Sequence, residues 1–365
     1  MKRGSIILAA LFTPACFLPS FEKDQGGGGE GGGGSSGTGT CEIELATPPT
    51  APADPNPGGE IEFFSAWHAV DVGESHMASR PGFDLDGVCA CCDVCDTSTC
   101  APPLGTTEEY CDAVEGEPNE GRDNNAAKFL LAIAELNTAL TSQGMQQRTE
   151  IGTWSVIVRV SQYNGDPDDG QVNVALYSTT GSTASPEWAD EDVWNIRQDS
   201  LAAGGTLDDA LVQRDDAYVK DGVLVAKFED AQLSLVLPVN FVVKLQHATF
   251  SSRIELADSG KYQLRDGVIS GRWGITDAVP ALAGMRTMTA PDAPVSCPGD
   301  LVTYPDYPSY KTALCNLRDE GTIAGPGPCD ALSFGLAFTA DPIDTPVVVP
   351  FNGASLCPTS ESTCE

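Results

Sequence analysis

The sequence predicts a mainly β protein with helical decoration, folded as an antiparallel β-sandwich or a half-open barrel and stapled by disulfides. Apolar and polar residues alternate with a period of two in many segments between residues 153 and 340, which is typical of strands with one buried face. Loops rich in Gly, Asp and Pro separate these segments and predict antiparallel hairpins. One segment with helical periodicity adds a long amphipathic helix.

The chain begins with features of an export signal. Lys2 and Arg3 precede the apolar run 6–12, which is too short for the ~20 residues that span a bilayer and is typical of a signal peptide. The run ends in TPAC, where a small residue directly before Cys16 resembles a bacterial lipobox, although Thr13 stands where that pattern usually has Leu. We predict a signal peptide over 1–15 and diacylation of Cys16. The alternative is ordinary secretory cleavage nearby, with Cys16 lost or left free.

A Gly/Ser-rich stretch then extends to residue 40 and predicts a flexible tether over 16–40. Residue 17 is Phe and not Asp. By similarity to Gram-negative sorting patterns, Asp at this position would favour retention in the inner membrane, so Phe17 favours the outer membrane. No later apolar run approaches 18 residues without charges, so we expect no transmembrane helix. The predicted location is the outer membrane or cell surface through a lipid anchor, and the alternative is a secreted soluble protein.

Composition limits the partners that the remaining chain can have. Acidic residues outnumber basic ones 52 to 20, which gives a net charge of −32 and excludes nucleic acid as a partner. The hydrophobic content of 41% predicts a folded chain. We divide it into a Cys-rich acidic part with the first strands, 41–125, and a helix followed by a β-rich part, 126–365. The two parts are expected to form one compact unit.

The first elements are a strand at 60–70 and the long helix. In NNAAKFLLAIAELNTALTSQG, Phe129, Ile133, Leu136 and Leu140 share one apolar face. Asp123 is the predicted N-cap of this helix and Gly144 its C-terminal stop.

The predicted strands that follow form hairpins. Segments 153–163 and 171–178 flank the loop NGDPDDG, and segment 217–228 contains a second hairpin with a type I′ turn at Asp221-Gly222. The pattern continues in four further segments: 233–239, 241–256, 261–275 and 332–340. Short helices are predicted after Thr276 and over 309–320, with Gly321 as the stop of the second.

Twelve cysteines remain once Cys16 is set aside, and an even number in an oxidising compartment predicts six disulfides of undetermined pairing. A zinc ribbon is disfavoured, because the C-x-x-C pair at 92–95 has no second pair at the required spacing. The predicted disulfide cysteines are Cys41, Cys89, Cys91, Cys92, Cys95, Cys100, Cys111, Cys297, Cys315, Cys329, Cys357 and Cys364.

Oxygen-bearing side chains on both sides of the first cysteine group predict a calcium site. They alternate with glycines and precede a helix, as in calcium-binding loops, although the spacing is not that of an EF-hand. The candidate ligands are Asp84, Asp86, Glu117, Asn119, Asp123 and Asn124. The alternative is that these residues form only Asx turns and a helix cap.

Several short motifs occur together in one order along the chain. They are GFDLDG at 82–87, a cysteine-bearing insert, a G-x-D-N helix start at 121–124, paired β-hairpins and the strand DGVISGRW at 266–273. In this combination the sequence resembles a group of predicted lipoproteins from myxobacteria, over most of residues 60–340. The resemblance implies a lipoprotein and supplies no catalytic residues.

The sequence favours a non-enzymatic role. It contains no G-x-S-x-G, H-E-x-x-H or P-loop motif, and its three histidines are His68, His76 and His247. We expect a binding or structural protein of the cell envelope with an extracellular or periplasmic partner. The alternative is a secreted hydrolase acting on extracellular polymers, because a catalytic triad is recognised by geometry and not by sequence order.

Overall fold

The computed structural model describes most of the chain after residue 45. The described residues are 46–53, 56–74, 81–87, 99–101, 103, 122–134, 138–189, 191–235, 241–285, 306–323, 326–351, 357 and 362–364. In chain order they form strand β1 (Ile61–Asp71), helices α1 (Ala126–Ile133) and α2 (Ser142–Glu150), strands β2 (Val156–Tyr163), β3 (Asp169–Ser182), β4 (Trp194–Arg197), β5 (Val212–Lys220), β6 (Val223–Leu235), β7 (Phe241–Leu256) and β8 (Tyr262–Gly274), helices α3 (Ile275–Gly284) and α4 (Tyr307–Asn316), and strands β9 (Ala331–Ile343) and β10 (Val347–Val349).

Eight of the strands close into an antiparallel barrel. Each barrel strand pairs with the next one along the chain, β5 pairs directly with β3, and β9 pairs with β1 to complete the circle. Strand β4 adds to the end of β3, and β10 lies parallel to β4. The prediction of a mainly β fold is therefore confirmed, whereas the sandwich is wrong and the barrel is closed rather than half-open. The alternation of apolar and polar residues along a strand shows which side chains face inward, but it does not show that the first and last strands of the sheet pair with each other.

The barrel interior is packed with large apolar side chains. Trp67 stacks on Phe338 with ring centroids 4.6 Å apart and meets Trp154 edge-on at 6.5 Å. At the end where β8 finishes, Trp273 contacts Phe129 of α1 and Phe241 of β7. An eight-stranded barrel is just wide enough for side chains to fill it, and these residues fill it.

The predicted long helix is wrong, because two short helices and a 3₁₀ turn at Thr138–Leu140 replace it. Thr141 starts α2, since its side-chain oxygen accepts a hydrogen bond from the Gly144 N–H at 3.1 Å. Gly144 thus lies inside α2 and does not end a helix, and the N-cap of α1 is Asn125 and not Asp123. A Thr- and Ser-rich stretch offers a competing helix start that apolar periodicity does not reveal.

The other predicted elements are largely confirmed. The hairpin between β5 and β6 turns at Asp221 and Gly222, whose φ angles of 51° and 80° fit a type I′ turn. Helices α3 and α4 lie where short helices were predicted. Helix α4, however, ends at Asn316, so the predicted continuation to Glu320 is wrong and residues 317–320 leave the helix as a loop.

Two disulfides are described in full. Cys100 pairs with Cys329 and Cys315 with Cys364, with Cα atoms 5.1 and 5.7 Å apart. Cys357 is also disulfide-bonded. Disulfides indicate an oxidising compartment outside the cytoplasm. Cys16 lies outside the described residues. So do the remaining predicted disulfide cysteines, which are Cys41, Cys89, Cys91, Cys92, Cys95, Cys111 and Cys297.

Among the helices of the described ranges, none is long and apolar enough to cross a membrane.

Candidate metal centre

Three segments meet on the outer side of β8 and β9, near the end of the barrel where the helices lie. The loop 81–87 follows β1, residues 122–125 precede α1, and residues 319–320 follow α4. Outward-facing serines of the barrel hold two of them, since Ser270 Oγ accepts from the Phe83 N–H at 3.3 Å and Ser333 Oγ from the Asn125 N–H at 2.7 Å. The barrel wall is therefore the platform on which these acidic segments are assembled.

Asn124 fastens the first two segments to β9. Its side-chain amide donates to the carbonyl oxygens of Pro81 at 2.9 Å and Gly335 at 3.0 Å, and its oxygen accepts from the Gly335 N–H at 3.1 Å. Gly335 is required for this approach, because a Cβ atom there would lie 2.0 Å from the Pro81 carbonyl oxygen. Asn124, a predicted calcium ligand, thus contributes here as a clamp between backbones.

The clamp brings three carboxylates together. One carboxylate oxygen from each of Asp84, Asp86 and Asp123 lies within 4.8 Å of the other two. Each side chain is oriented by a neighbour: Asp123 accepts from the Leu85 N–H at 2.7 Å, Asp84 from the Gly87 N–H at 2.8 Å, and Asp86 from the Thr99 hydroxyl at 3.1 Å. The three aspartates form the group that we call the aspartate triad.

Two further carboxylates lie beside the aspartate triad. Glu320 is only 1% exposed; its Oε2 accepts from Arg272 Nε at 3.0 Å, whereas its Oε1 has no hydrogen-bond partner within the described structure. The buried Asp319 accepts from the Ser333 N–H at 2.8 Å and from the Ser333 hydroxyl. Arg272 also donates to the Leu85 carbonyl oxygen, so it links the glutamate to the aspartate loop.

Burial and mutual repulsion make full ionisation of these carboxyl groups unfavourable. Burial raises the pKa of Asp84 to about 6, with a further contribution from the charge of Asp86. Burial, followed by the charge of Glu320, raises the pKa of Asp123 well above its ordinary value. Burial also raises the pKa values of Asp319 and Glu320, and the charge of Asp319 adds to the effect on Glu320. Such a cluster either retains protons or is neutralised by a cation.

The geometry fits a calcium ion. Calcium binds six to eight oxygens at about 2.4 Å, so two oxygens bound to the same ion lie at most about 4.8 Å apart. The three oxygens of the aspartate triad meet that limit. Asp84, Asp86 and Asp123 could therefore hold a calcium ion, with water or further oxygens in the other positions.

The sequence named the three aspartates but missed Glu320. Two of the other predicted ligands, Glu117 and Asn119, lie outside the described residues. Glu320 was assigned to a helix that ends earlier in the structure, and its distance of 197 residues from Asp123 hid their proximity. The only available signal was the adjacent carboxylate pair in LRDEG, at the end of a predicted helix.

The histidines form a different arrangement. His68 Nδ1 lies 2.5 Å from Asp341 Oδ2, Arg265 contacts the other oxygen of Asp341, and the imidazole ring stacks on Trp188 at 3.9 Å. Within the described ranges no hydroxyl or thiol hydrogen-bonds to the His68 ring. His247 is more than half exposed in β7, and His76 lies outside the described residues.

A cavity of about 390 Å³ is lined by residues of β3, β6 and β7 and lies next to the start of β5. Two ion pairs line it, Arg197 with Asp199 at 2.6 Å and Lys244 with Asp277 at 3.0 Å. Asp230 also lines the cavity, so its lining carries three carboxylates and two cationic side chains, whereas the aspartate triad consists of carboxylates alone.

Comparison of the chain with protein-family models, with curated proteins and with solved structures finds no match. Fold and site alone therefore define the class of protein. It is a disulfide-linked, eight-stranded antiparallel barrel that carries a cluster of half-buried and buried carboxylates on its outer wall.

Proposed function

We propose that this chain is a lipid-anchored protein of the cell envelope, at the outer membrane or cell surface, whose barrel is stabilised by a calcium ion at Asp84, Asp86 and Asp123. Its role is binding or structural and not enzymatic. One observation carries the calcium proposal: three carboxylates from two segments separated along the chain converge within the distance that one calcium ion spans.

Calcium would act here as a cross-link. The aspartate triad joins the loop after β1 to the start of α1, and both lie on β8 and β9. Extracellular calcium sites have dissociation constants of about 10⁻⁴–10⁻³ M, which suits a compartment rich in calcium. A ligand at 100 times its dissociation constant stabilises the folded state by about 2.7 kcal/mol.

The non-enzymatic role is supported by the surroundings of the histidine–carboxylate pair His68–Asp341. His68 and Asp341 have the geometry of a base and its orienting acid, as a hydrolase requires. The ring face is covered by Trp188, however, and the second oxygen of Asp341 is engaged by Arg265. Because the barrel interior is filled, we place the binding role on the outer surface, toward an extracellular or periplasmic partner.

The cellular address rests on the sequence and on the disulfides. The apolar run, the small residue before Cys16 and the Gly/Ser-rich tether support lipidation. The pairs Cys100–Cys329 and Cys315–Cys364 support export from the cytoplasm. The similarity to myxobacterial lipoproteins predicts the same cellular location. Intact mass of membrane-extracted protein tests this part: we expect a diacylated Cys16, and Cys16→Ser should release the protein into the soluble fraction.

A thermal melt tests the calcium proposal. We expect calcium at about 10 mM to raise the melting temperature of the wild type by about 5–10 °C relative to chelator. Magnesium at equal ionic strength controls for screening of a chain with a net charge of −32. Asp84→Asn/Asp123→Asn should lose the difference between calcium and magnesium. The matched control is Asp215→Asn/Asp258→Asn, which removes the same charge from two exposed sites and should keep it. Equal shifts with both ions would contradict the proposal.

A further inference from the structure

We propose that the cavity lined by β3, β6 and β7 binds a neutral mono- or disaccharide on the outer surface of the barrel. The inference rests on the binding role proposed above and gives that role a class of ligand. It does not depend on the calcium ion, because the cavity and the aspartate triad share no residue.

The cavity lies at the outer face of β6 and β7. Along β7, Val243 and Leu245 belong to the barrel core, so the alternating Lys244 and Gln246 point outward. Both outward residues line the cavity, as does the exposed Gln232 of β6. A ligand therefore reaches the cavity from solvent, although the barrel interior is filled.

The edge of β6 beside the cavity offers backbone hydrogen-bonding groups. Among the described strands, β6 pairs with β7 along its length, but with β5 only over 223–225. The indole N–H of Trp154 donates to the Ser234 carbonyl oxygen at 2.9 Å, so this carbonyl points away from β7. Backbone directions repeat at every second residue of an antiparallel pair, so the N–H and C=O of Gln232 point to the same side. A ligand in the cavity finds one backbone donor and one backbone acceptor there.

The ion pairs of the lining disfavour a charged ligand. Arg197 donates to both carboxylate oxygens of Asp199, at 2.9 and 2.6 Å, and Lys244 Nζ lies 3.0 Å from Asp277. An anionic ligand would have to compete with these carboxylates for both cations. Asp230 is exposed and forms no ion pair among the described residues, and a single exposed carboxylate attracts a cation only weakly. A neutral ligand leaves both ion pairs intact.

Several polar groups of the lining have no hydrogen-bond partner among the described residues. They include the carboxylate of Asp230 and the side-chain amides of Gln232 and Gln246. Arg197 is only 4% exposed, and its Nη1 also lacks a partner, which is unfavourable for a buried donor. This set combines donors with acceptors. Each hydroxyl group of a sugar both donates and accepts, so a polyhydroxylated ligand matches the set.

The volume and the composition of the lining also fit a sugar. The volume of about 390 Å³ lies within the range of about 300–1,000 Å³ that is usual for small-molecule sites. Most such sites are lined mainly by apolar residues, whereas this lining has three serines, two glutamines and five charged residues beside a small apolar group. The apolar group consists of Leu176, Leu211, Val212 and Ala231. A sugar ring presents hydroxyl groups at its edge and C–H groups on its faces, so it can contact both parts.

Titration of the full chain with glucose, galactose, mannose and N-acetylglucosamine tests the proposal. We expect saturable binding of at least one of them, followed by NMR. The dissociation constant should be about 1 mM, the value that the usual binding efficiency of small ligands predicts for one sugar ring. Glucuronate and glucosamine, which add a charge to the glucose ring, should bind more weakly than the best neutral sugar.

Two variants of β6 test the position of the site. Asp230→Ala should weaken binding of the best neutral sugar at least about tenfold, because it removes a charged hydrogen-bond acceptor. The matched control is Glu229→Ala, which truncates the adjacent exposed carboxylate outside the cavity lining and should leave the affinity nearly unchanged. Both side chains are exposed, so both variants should fold.

Methyl resonances of the wild type give a second measurement of position. The sugar should shift the methyl signals of Leu176, Leu211 and Val212, which line the cavity. The signals of Leu256, which is 62% exposed at the end of β7 and outside the lining, should not move.

The outcomes separate this inference from the calcium site. No binding of any of the four neutral sugars overturns the inference, while a calcium-dependent melt of the same protein would still support the calcium site. Tighter binding of glucuronate or glucosamine than of every neutral sugar overturns the neutral ligand. An equal loss of affinity in Asp230→Ala and Glu229→Ala, or methyl shifts confined to residues outside the lining, overturns the position. Asp230→Ala should keep the calcium response of the wild type.

Discussion

The barrel interior and the carboxylate cluster on its outer wall are stabilised by opposite means. The interior buries apolar side chains such as Trp67, Trp273 and Phe338, whose contribution depends on neither pH, nor ions, nor redox state. The cluster, a few ångströms outside the same strands, buries Asp319 and Glu320 and gathers three aspartates beside them. The first region stabilises the fold by burial of apolar surface. The second gathers like charges, whose burial is unfavourable unless protons or a cation neutralise them.

The largest effect is expected in the interior. Trp67→Ala should reduce the free energy of unfolding by about 3–5 kcal/mol, because it leaves a cavity beside Phe338 and Trp154. Urea unfolding measures the loss, and it should be the same in calcium and in chelator. A loss that differs between the two conditions by more than about 1 kcal/mol would show that the two regions are not independent.

Calcium removal should give the next largest effect. At 100 times the dissociation constant, calcium should contribute about 2.7 kcal/mol to the free energy of unfolding of the wild type. Asp84→Asn/Asp123→Asn should lose this contribution, while Trp67→Ala should keep it. Urea unfolding of the two variants in both conditions separates cation binding from core packing, and a calcium response lost in Trp67→Ala would contradict the separation.

Without a bound cation, the contribution of the carboxylate cluster to stability should depend on pH, whereas that of the barrel interior should not. The raised pKa of Asp84, about 6, and the raised pKa values of Asp123, Asp319 and Glu320 mean that the folded state binds protons more tightly than the unfolded state. This stability is fully present below the unfolded-state pKa values of about 4 and is lost as the pH rises from there through the folded-state values.

Unfolding in chelator should show this loss as a slope. We expect the free energy of unfolding to fall by about 1.4 kcal/mol per pH unit for each proton that the folded state retains. Calcium should flatten the slope between pH 6 and 8. A chelated protein whose stability rises over that range would contradict the assignment. The lowered pKa of Asp341, caused by His68 and Arg265, acts only below about pH 4 and leaves this window unaffected.

The smallest effect is expected for an ordinary surface ion pair. Glu62 is exposed and lies 2.7 Å from Arg159 Nε. Glu62→Gln should change the free energy of unfolding by less than about 1 kcal/mol, with no change in the calcium response. Calcium and chelator melts of this variant check it, and a lost calcium response would mean that net charge, and not the aspartate triad, causes the effect.

The sequence predicted local elements well and long-range contacts poorly, for physical reasons. Periodicity reports which side chains face the core, so β2 and the β5–β6 hairpin with its Asp221-Gly222 turn were predicted correctly. Closure of the barrel depends on pairing between β1 and β9, about 270 residues apart, and no local pattern encodes it. The long helix was wrong because α1 ends at Ile133, and Thr141 caps a second helix that runs through the predicted stop at Gly144.

The candidate site shows the same division. Asp84 and Asp86 were visible as a loop motif, and Asp123 as a residue near a helix start. Their convergence depends on Asn124 binding to Gly335, a contact across 211 residues. Glu320 reaches the site only because α4 ends early and a loop returns to β9, which no spacing in the sequence predicts.

Calcium binding itself tests the account most directly. Calorimetric titration of the oxidised wild type should show one site with a dissociation constant of about 10⁻⁴–10⁻³ M. Asp84→Asn/Asp123→Asn should abolish that site, and Asp215→Asn/Asp258→Asn should retain it. No binding to the wild type, or equal binding to both double variants, would contradict the assignment of a calcium ion to the aspartate triad.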